Sequence, residues 1–193
     1  NLSLDAVITV TAPPKMVTAL SALCGVVRVV PTSCPSAVAS VLRDAGCSLS
    51  YGADPCVLPK ACKNSVEIAG TITAHLRDAG AMCEFLAWLD AQPADTLSEI
   101  DVVRALEGFR KATGALKDIS FDTSCGAGPT GAIIHYRVTE DSNRAVKPGD
   151  LLLIDSGGQY IDVTTDTKRN AARGDVGNTE KSAITQLMPG RIP

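Results

Sequence analysis

The segment LLLIDSGGQYIDVTTD, residues 151–166, constrains the fold of this chain more than any other stretch. Four apolar residues drive into Asp155, and a second aspartate, Asp166, follows eleven positions later. A short apolar run bounded by glycines and rich in β-branched residues reads as strands of an antiparallel sheet. The register of those strands decides what the two carboxylates can do. Reversal at Gly157 and Gly158 leaves them roughly 20 Å apart, at about 3.3 Å per residue. Reversal near residues 160–162 brings Asp155 and Asp166 nearly opposite each other, on one face. Two carboxylates so placed repel each other unless a cation joins them, and such oxygen donors suit hard ions like Mn2+ or Mg2+. Aspartate beside Ser-Gly-Gly is also ordinary turn chemistry, so both readings stay open here.

Upstream the periodicity changes. VVRVVP (26–31), CPSAVASVLRDAG (34–46) and SLSYG (48–52) alternate strand, helix and strand, with Pro35 near the helix start and Gly46 just past its end. This is a βαβ pattern. DPCVLPKACKN (54–64) carries two prolines and reads as a linker. A long helix follows, capped by Asn64 with Glu67 reaching back, and its predicted apolar stripe is Ile68, Ile72, Leu76, Ala79, Cys83 and Leu86. Thr96 and Glu99 form a second predicted capping box, ahead of a face made by Ile100, Val103, Leu106 and Phe109. GAIIHYRV (131–138) reads as another strand of the sheet, while the residues after Arg169 show no readable period.

Composition removes several function classes. The 193 residues are 45% hydrophobic, enough for a core in one or two domains. The net charge of −3 and the scattered basic residues give no nucleic-acid footprint. No run approaches the roughly 18 apolar residues of a membrane span, so no membrane partner is expected. Seven cysteines without a Cys-x-x-Cys pair read as buried, reduced thiols of a cytoplasmic protein. Gly126, Gly128 and Gly131 spell the dinucleotide fingerprint, but a strand-like run rather than a helix follows, and Pro129 removes an amide donor. Of the two histidines, His75 reads as helix surface, and His135 as a strand residue with a structural or a functional role.

Taken together, GPTGAIIHYRVTEDSNR (128–144) and LLLIDSGGQYIDVTTD resemble the Xaa-Pro aminopeptidases of the pita-bread metallopeptidases, with a weaker likeness back to about residue 25. The resemblance implies an α/β (α+β) fold, with residues 1–57 ending a creatinase-like N-terminal domain and residues 58–193 beginning a pita-bread catalytic domain. It implies a dinuclear centre held by two aspartates, a histidine and two glutamates, with Asp155 and Asp166 as the first two ligands and Mn2+ as the expected ion. His135 matches the family's active-site histidine. The implied chemistry is hydrolysis by metal-activated water, releasing the first residue from peptides with proline second.

This chain departs from that pattern. It ends 27 residues after Asp166 and holds no third histidine, so three of the five ligands are missing. The opening NLSLDAVITV and closing QLMPGRIP read as the interior of a longer protein. Val163 stands where the family has glycine, and Lys168 where it has threonine, so an ammonium is expected either to oppose a metal or to pair with the carboxylates. The expectation is therefore a chain inactive alone. The alternatives are a non-catalytic relic that binds peptides or partners, and a degraded reading frame. The exposed inner face of a half domain implies self-association as a homo-oligomer.

Overall fold

The computed structural model describes residues 10–93 and 95–188. They divide into two compact units, Asn1–Lys63 and Asn64–Pro193.

In the first unit, helix α1 (Met16–Ser21) leads to strand β1 (Val26–Val29), helix α2 (Ser36–Asp44), strand β2 (Ser48–Tyr51) and the short helix α3 (Val57–Ala61). β1 and β2 pair in parallel, Val26 with Ser48 through Val29 with Tyr51, as the βαβ pattern requires. Gly46, at φ 83°, ends α2 in the left-handed conformation. The Gly46 amide returns to the Arg43 carbonyl and the Cys47 amide to Leu42, a Schellman closure. Val29, Leu42 and Cys47 form the small core. The stretch read as a linker thus contains α3.

The second unit begins where the sequence places its strongest start signal. The Asn64 side chain accepts from the amides of Val66 and Glu67, Glu67 accepts from the Asn64 amide, and helix α4 runs Ser65–Ala91. The buried stripe of α4 is Ala74, Asp78, Ala81, Met82, Phe85 and Leu89. The predicted stripe lies instead toward solvent, with Ile72 56% and Leu76 71% exposed. Both stripes have helical spacing. The buried one contains an aspartate, which hides it from a hydrophobicity count.

Helix α5 (Glu99–Ala112) buries Glu99, Val102, Leu106 and Arg110, so Leu106 of the expected face lies in the core and Val103 and Phe109 pack partly against it. Its capping box is Ser98 with Asp101, two residues beyond the predicted one. That shift frees Glu99 to point inward. Strands β3 (Asp118–Ile119), β4 (Ser124–Ala127), β5 (Leu151–Ser156), β6 (Gly158–Gln159) and β7 (Thr167–Ala172) follow, then helix α6 (Asn178–Leu187). β4, β5 and β7 make an antiparallel sheet in that order, and β3 pairs with β6.

Alternation along β5 sorts the sheet into two faces. Leu152, Ile154 and Ser156 are buried while Leu151, Leu153 and Asp155 are half-buried. Leu152 and Ile154 meet Ala127 and Cys125 across the β4 pairing, and α4 and α5 cover that side with Met82, Phe85, Leu89, Val102 and Leu106. Each fully buried leucine there contributes about 1.5–3 kcal/mol. Helices on one face of an antiparallel sheet leave the other face for a site.

Candidate functional site

The hairpin between β5 and β7 reverses beyond the glycines. The Tyr160 amide donates to the Val163 carbonyl at 3.0 Å, and Gln159 bridges Thr164, so Ile161 and Asp162 form the tip. Gly157 and Gly158 are needed for closeness rather than for turning. A Cβ on Gly157 would press onto the Thr165 carbonyl oxygen and Ser120 Oγ. The Gly158 amide donates to Thr165 Oγ1 at 2.9 Å. Among the described residues only Asp95 and His135 carry positive φ without being glycine, so Val163 takes the family's glycine position without left-handed strain.

A buried charge network pins this hairpin to the helices. Asp78 on α4 accepts from Arg110 Nε at 2.8 Å, from Arg110 Nη2 at 3.2 Å and from the Tyr160 hydroxyl at 2.7 Å. Burial pushes the Asp78 carboxyl up, but the hydrogen bonds from Arg110 and Tyr160 and the Arg110 charge outweigh it and hold it below the ordinary value. Arg77 lies over the Tyr160 ring, 5.6 Å from its centre, and 3.9 Å from Asp162. Nothing in the sequence marks this triad except the helical spacing of Val102, Leu106 and Arg110.

The register fixes the aspartates. Asp155 is paired with Lys168, and Asp166 precedes Lys168 by two residues, so both carboxylates belong to the open face as diagonal neighbours. Lys168 Nζ lies 2.9 Å from Asp155 Oδ2, with the aspartate side chain 25% exposed and the lysine 55%. Asp166 is exposed, and among the described residues it has no ion-pair or side-chain hydrogen-bond partner.

His135 is not on a strand. β4 runs into a 3-10 turn, Gly128–Ala132, and the chain then loops, with His135 exposed at φ 56°. Glycines at 128 and 131 break the strand pattern that the isoleucines suggest. The loop is held from beneath by Glu99, which is fully buried at the start of α5. Glu99 accepts from the Ala127 amide at 2.8 Å, from the Thr130 hydroxyl, and from the Tyr136 hydroxyl at 2.9 Å. Burial, then the hydrogen bond and charge of Glu99, push the Tyr136 phenol up. Burial and the same charge also raise the Cys125 thiol. Of the seven free cysteines only Cys47 and Cys125 are buried, while Cys24, Cys56, Cys62 and Cys83 are exposed, against the expectation of buried thiols.

A cleft of about 250 Å3 brings His135, Asp155 and Lys168 together over Ser124, Gly126 and Leu153. Asp166 does not line it. Among the described residues no three His, Cys, Asp or Glu side chains gather as a metal site. With one of the two aspartates already paired to an ammonium, the donors present here do not fit a dinuclear centre by themselves. Among the described residues no helix is long and apolar enough to cross a membrane.

An antiparallel sheet backed by two helices, with two aspartates on the open face of one hairpin, is the layout of part of a pita-bread domain. The chain belongs to metallopeptidase family M24, whose profile matches residues 70–188. Its relatives there are Xaa-Pro aminopeptidases. It is 39% identical over 139 residues to the Xaa-Pro aminopeptidase ApepP of Drosophila melanogaster, covering 71% of this chain and 22% of that one. It is 40% identical over 144 residues to aminopeptidase P2 of Arabidopsis thaliana, covering 74% and 20%. The X-prolyl aminopeptidase of Caenorhabditis elegans, described as a cytosolic enzyme with a di-nuclear active site, superposes with a TM-score of 0.71 at 28% identity, over 80% of this chain and 25% of that one. The X-Pro aminopeptidase of Thermotoga maritima shares the fold, with a TM-score of 0.72 at 20% identity over 91% and 47%. This chain thus spans about a fifth of the length of these curated relatives.

Proposed function

We propose that this chain carries the Asp-Asp-His face of an Xaa-Pro aminopeptidase and, taken by itself, does not turn over substrate. The observation that carries the reading is the hairpin register, with Asp155 and Asp166 on one face, and the Glu99-held loop, which brings His135 to the cleft that Asp155 lines. The intact family activity is removal of the N-terminal residue from peptides with proline second. Two divalent ions, with Mn2+ the expected metal, supply activated water in that chemistry. Here the residues of this chain do the rest. In the intact enzyme Leu153 and Gly126 would offer an apolar floor to a small side chain such as proline, and His135, at the rim, would be the group within reach to handle a proton. A cytoplasmic setting is supported by the description of the Caenorhabditis elegans enzyme as cytosolic. Residues 1–57 are taken as the end of a creatinase-like domain.

The second reading, a peptide-binding module without hydrolysis, is favoured by the Lys168–Asp155 ion pair. Two assays separate the readings. The isolated chain with Mn2+ should not cleave a proline-second peptide, and detectable turnover would refute its inactivity. Residues 64–172 exchanged into the Caenorhabditis elegans enzyme, with Lys168→Thr, should support cleavage. A folded chimera that binds the peptide but leaves it intact supports the binding module instead.

A further inference from the structure

We propose that Lys168 is the resident counter-cation of the Asp155–Asp166 face, which keeps divalent ions off that face in this chain. The inference rests on the reading of the two aspartates as the metal-binding face and goes beyond it by naming the group that controls access.

The pairing of Lys168 with Asp155 is dictated by the backbone rather than by a chance rotamer. The Thr165 amide donates to the Gly158 carbonyl, which makes residues 158 and 165 a hydrogen-bonded pair. Stepping along the ladder in twos makes 156 with 167 and 154 with 169 the hydrogen-bonded pairs as well. Asp155 and Lys168 therefore face each other in a non-hydrogen-bonded position, where cross-strand side chains come closest. The observed separation is 2.9 Å. The stem of Lys168 lies along the open face, and Asp166 projects from that same face one step nearer the tip.

Charge explains the consequence. Two carboxylates alone present a charge of about −2 to a divalent ion, and the ammonium cuts this to about −1 while adding a repulsive charge at contact distance. Asp155 is three-quarters covered, so water screens that repulsion less than at an open surface. An incoming ion must displace the ammonium before it can use both oxygens of Asp155. Among the described residues no three His, Cys, Asp or Glu side chains, His135 included, gather closely enough to hold an ion and offset that cost. Lys168 borders an open cleft and its side chain is 55% exposed, so the ammonium can swing out to water and is displaceable rather than locked.

The test is Mn2+ binding by the full 193-residue chain, read from the electron paramagnetic resonance signal of free Mn2+. Trp88 fluorescence confirms folding of each variant. Wild type and Lys168→Arg should bind weakly. Lys168→Thr and Lys168→Met, which remove the charge with different side-chain lengths, should each bind at least about tenfold more tightly. Adding Asp155→Asn to either should abolish the gain. Wild type binding as tightly as Lys168→Thr, with both losing the ion on Asp155→Asn, overturns the role of Lys168 and leaves the aspartate face standing. A neutral variant that binds no better than wild type also overturns it. Binding that is indifferent to both Asp155→Asn and Asp166→Asn overturns the aspartate reading itself.

Discussion

Replacing Asp78 with asparagine should be the most damaging isosteric change in the second unit. The side chain keeps its shape but loses its charge, and Arg110 is left fully buried with no counter-ion. Arg110 Nη1 already has no hydrogen-bond partner, so the guanidinium has no second acceptor to turn to. Breaking a buried pair by removing one partner costs about 3–5 kcal/mol. That is a large share of the about 5–15 kcal/mol that holds a domain together. At roughly 1.5 kcal/mol per molar urea, the midpoint should fall by about 2–3 M.

The chain provides a clean reporter for this. Its single tryptophan, Trp88, packs against Phe85 at 6.0 Å and Phe109 at 6.2 Å, so its fluorescence follows the second unit. The pH dependence has a definite sign. The folded Asp78 carboxyl titrates below its unfolded value of about 3.9, so its contribution is complete above that pH and lost as pH falls through the folded value. The wild-type and Asp78→Asn curves should therefore converge on acidification. The double variant Asp78→Leu with Arg110→Met should be less destabilised than Asp78→Asn alone, since no charge remains to be stranded. A midpoint shift under about 0.5 M for Asp78→Asn, or a double variant no better than the single one, would refute the buried-charge argument.

Two further outcomes follow from the site. Gly157→Ala should cost about 1–3 kcal/mol, because the new methyl meets the Thr165 carbonyl and Ser120 Oγ; an unchanged melting curve would show that the hairpin can relax. Glu99→Ala removes a shared acceptor from the Ala127 amide and the Thr130 and Tyr136 hydroxyls, which keep Thr130 Oγ1, the Ala127 carbonyl and Ser142 as partners, so the loss should total about 1–3 kcal/mol. It should also let the Tyr136 phenol fall toward its ordinary range in an ultraviolet titration, and a phenol that does not move would contradict its coupling to Glu99.

Local signals in the sequence are read faithfully by the fold where a single side chain decides the outcome. Asn64 with Glu67 starts α4, and Gly46 closes α2, because a cap satisfies its own backbone whatever lies elsewhere. Helix faces are different. Which of two apolar stripes turns inward on α4 depends on Arg110 and Tyr160, distant partners that make Asp78 a buried residue. The capping box of α5 moved to Ser98 and Asp101 for the same reason, since Glu99 has tertiary donors waiting for it. The strand expected at residues 131–138 failed because isoleucine content cannot override glycines at 128 and 131 that turn the chain. Of the candidate residues, Asp155 and Asp166 were placed by a register argument that the sequence could pose and only backbone pairing could answer. His135 lines the cleft beside Asp155, on a loop rather than on the strand that the isoleucines suggest.

The six residues of β5 carry two messages on alternate letters. Leu152, Ile154 and Ser156 speak only to the core, and Leu151, Leu153 and Asp155 only to the open face. A change in the second set leaves the first undisturbed, so chemistry can be lost, exchanged or regained here without the fold registering the event. Lys168, facing Asp155 across the ladder, belongs to the open face and not to the core. A hairpin of this kind can therefore keep its packing while the charge on its open side changes.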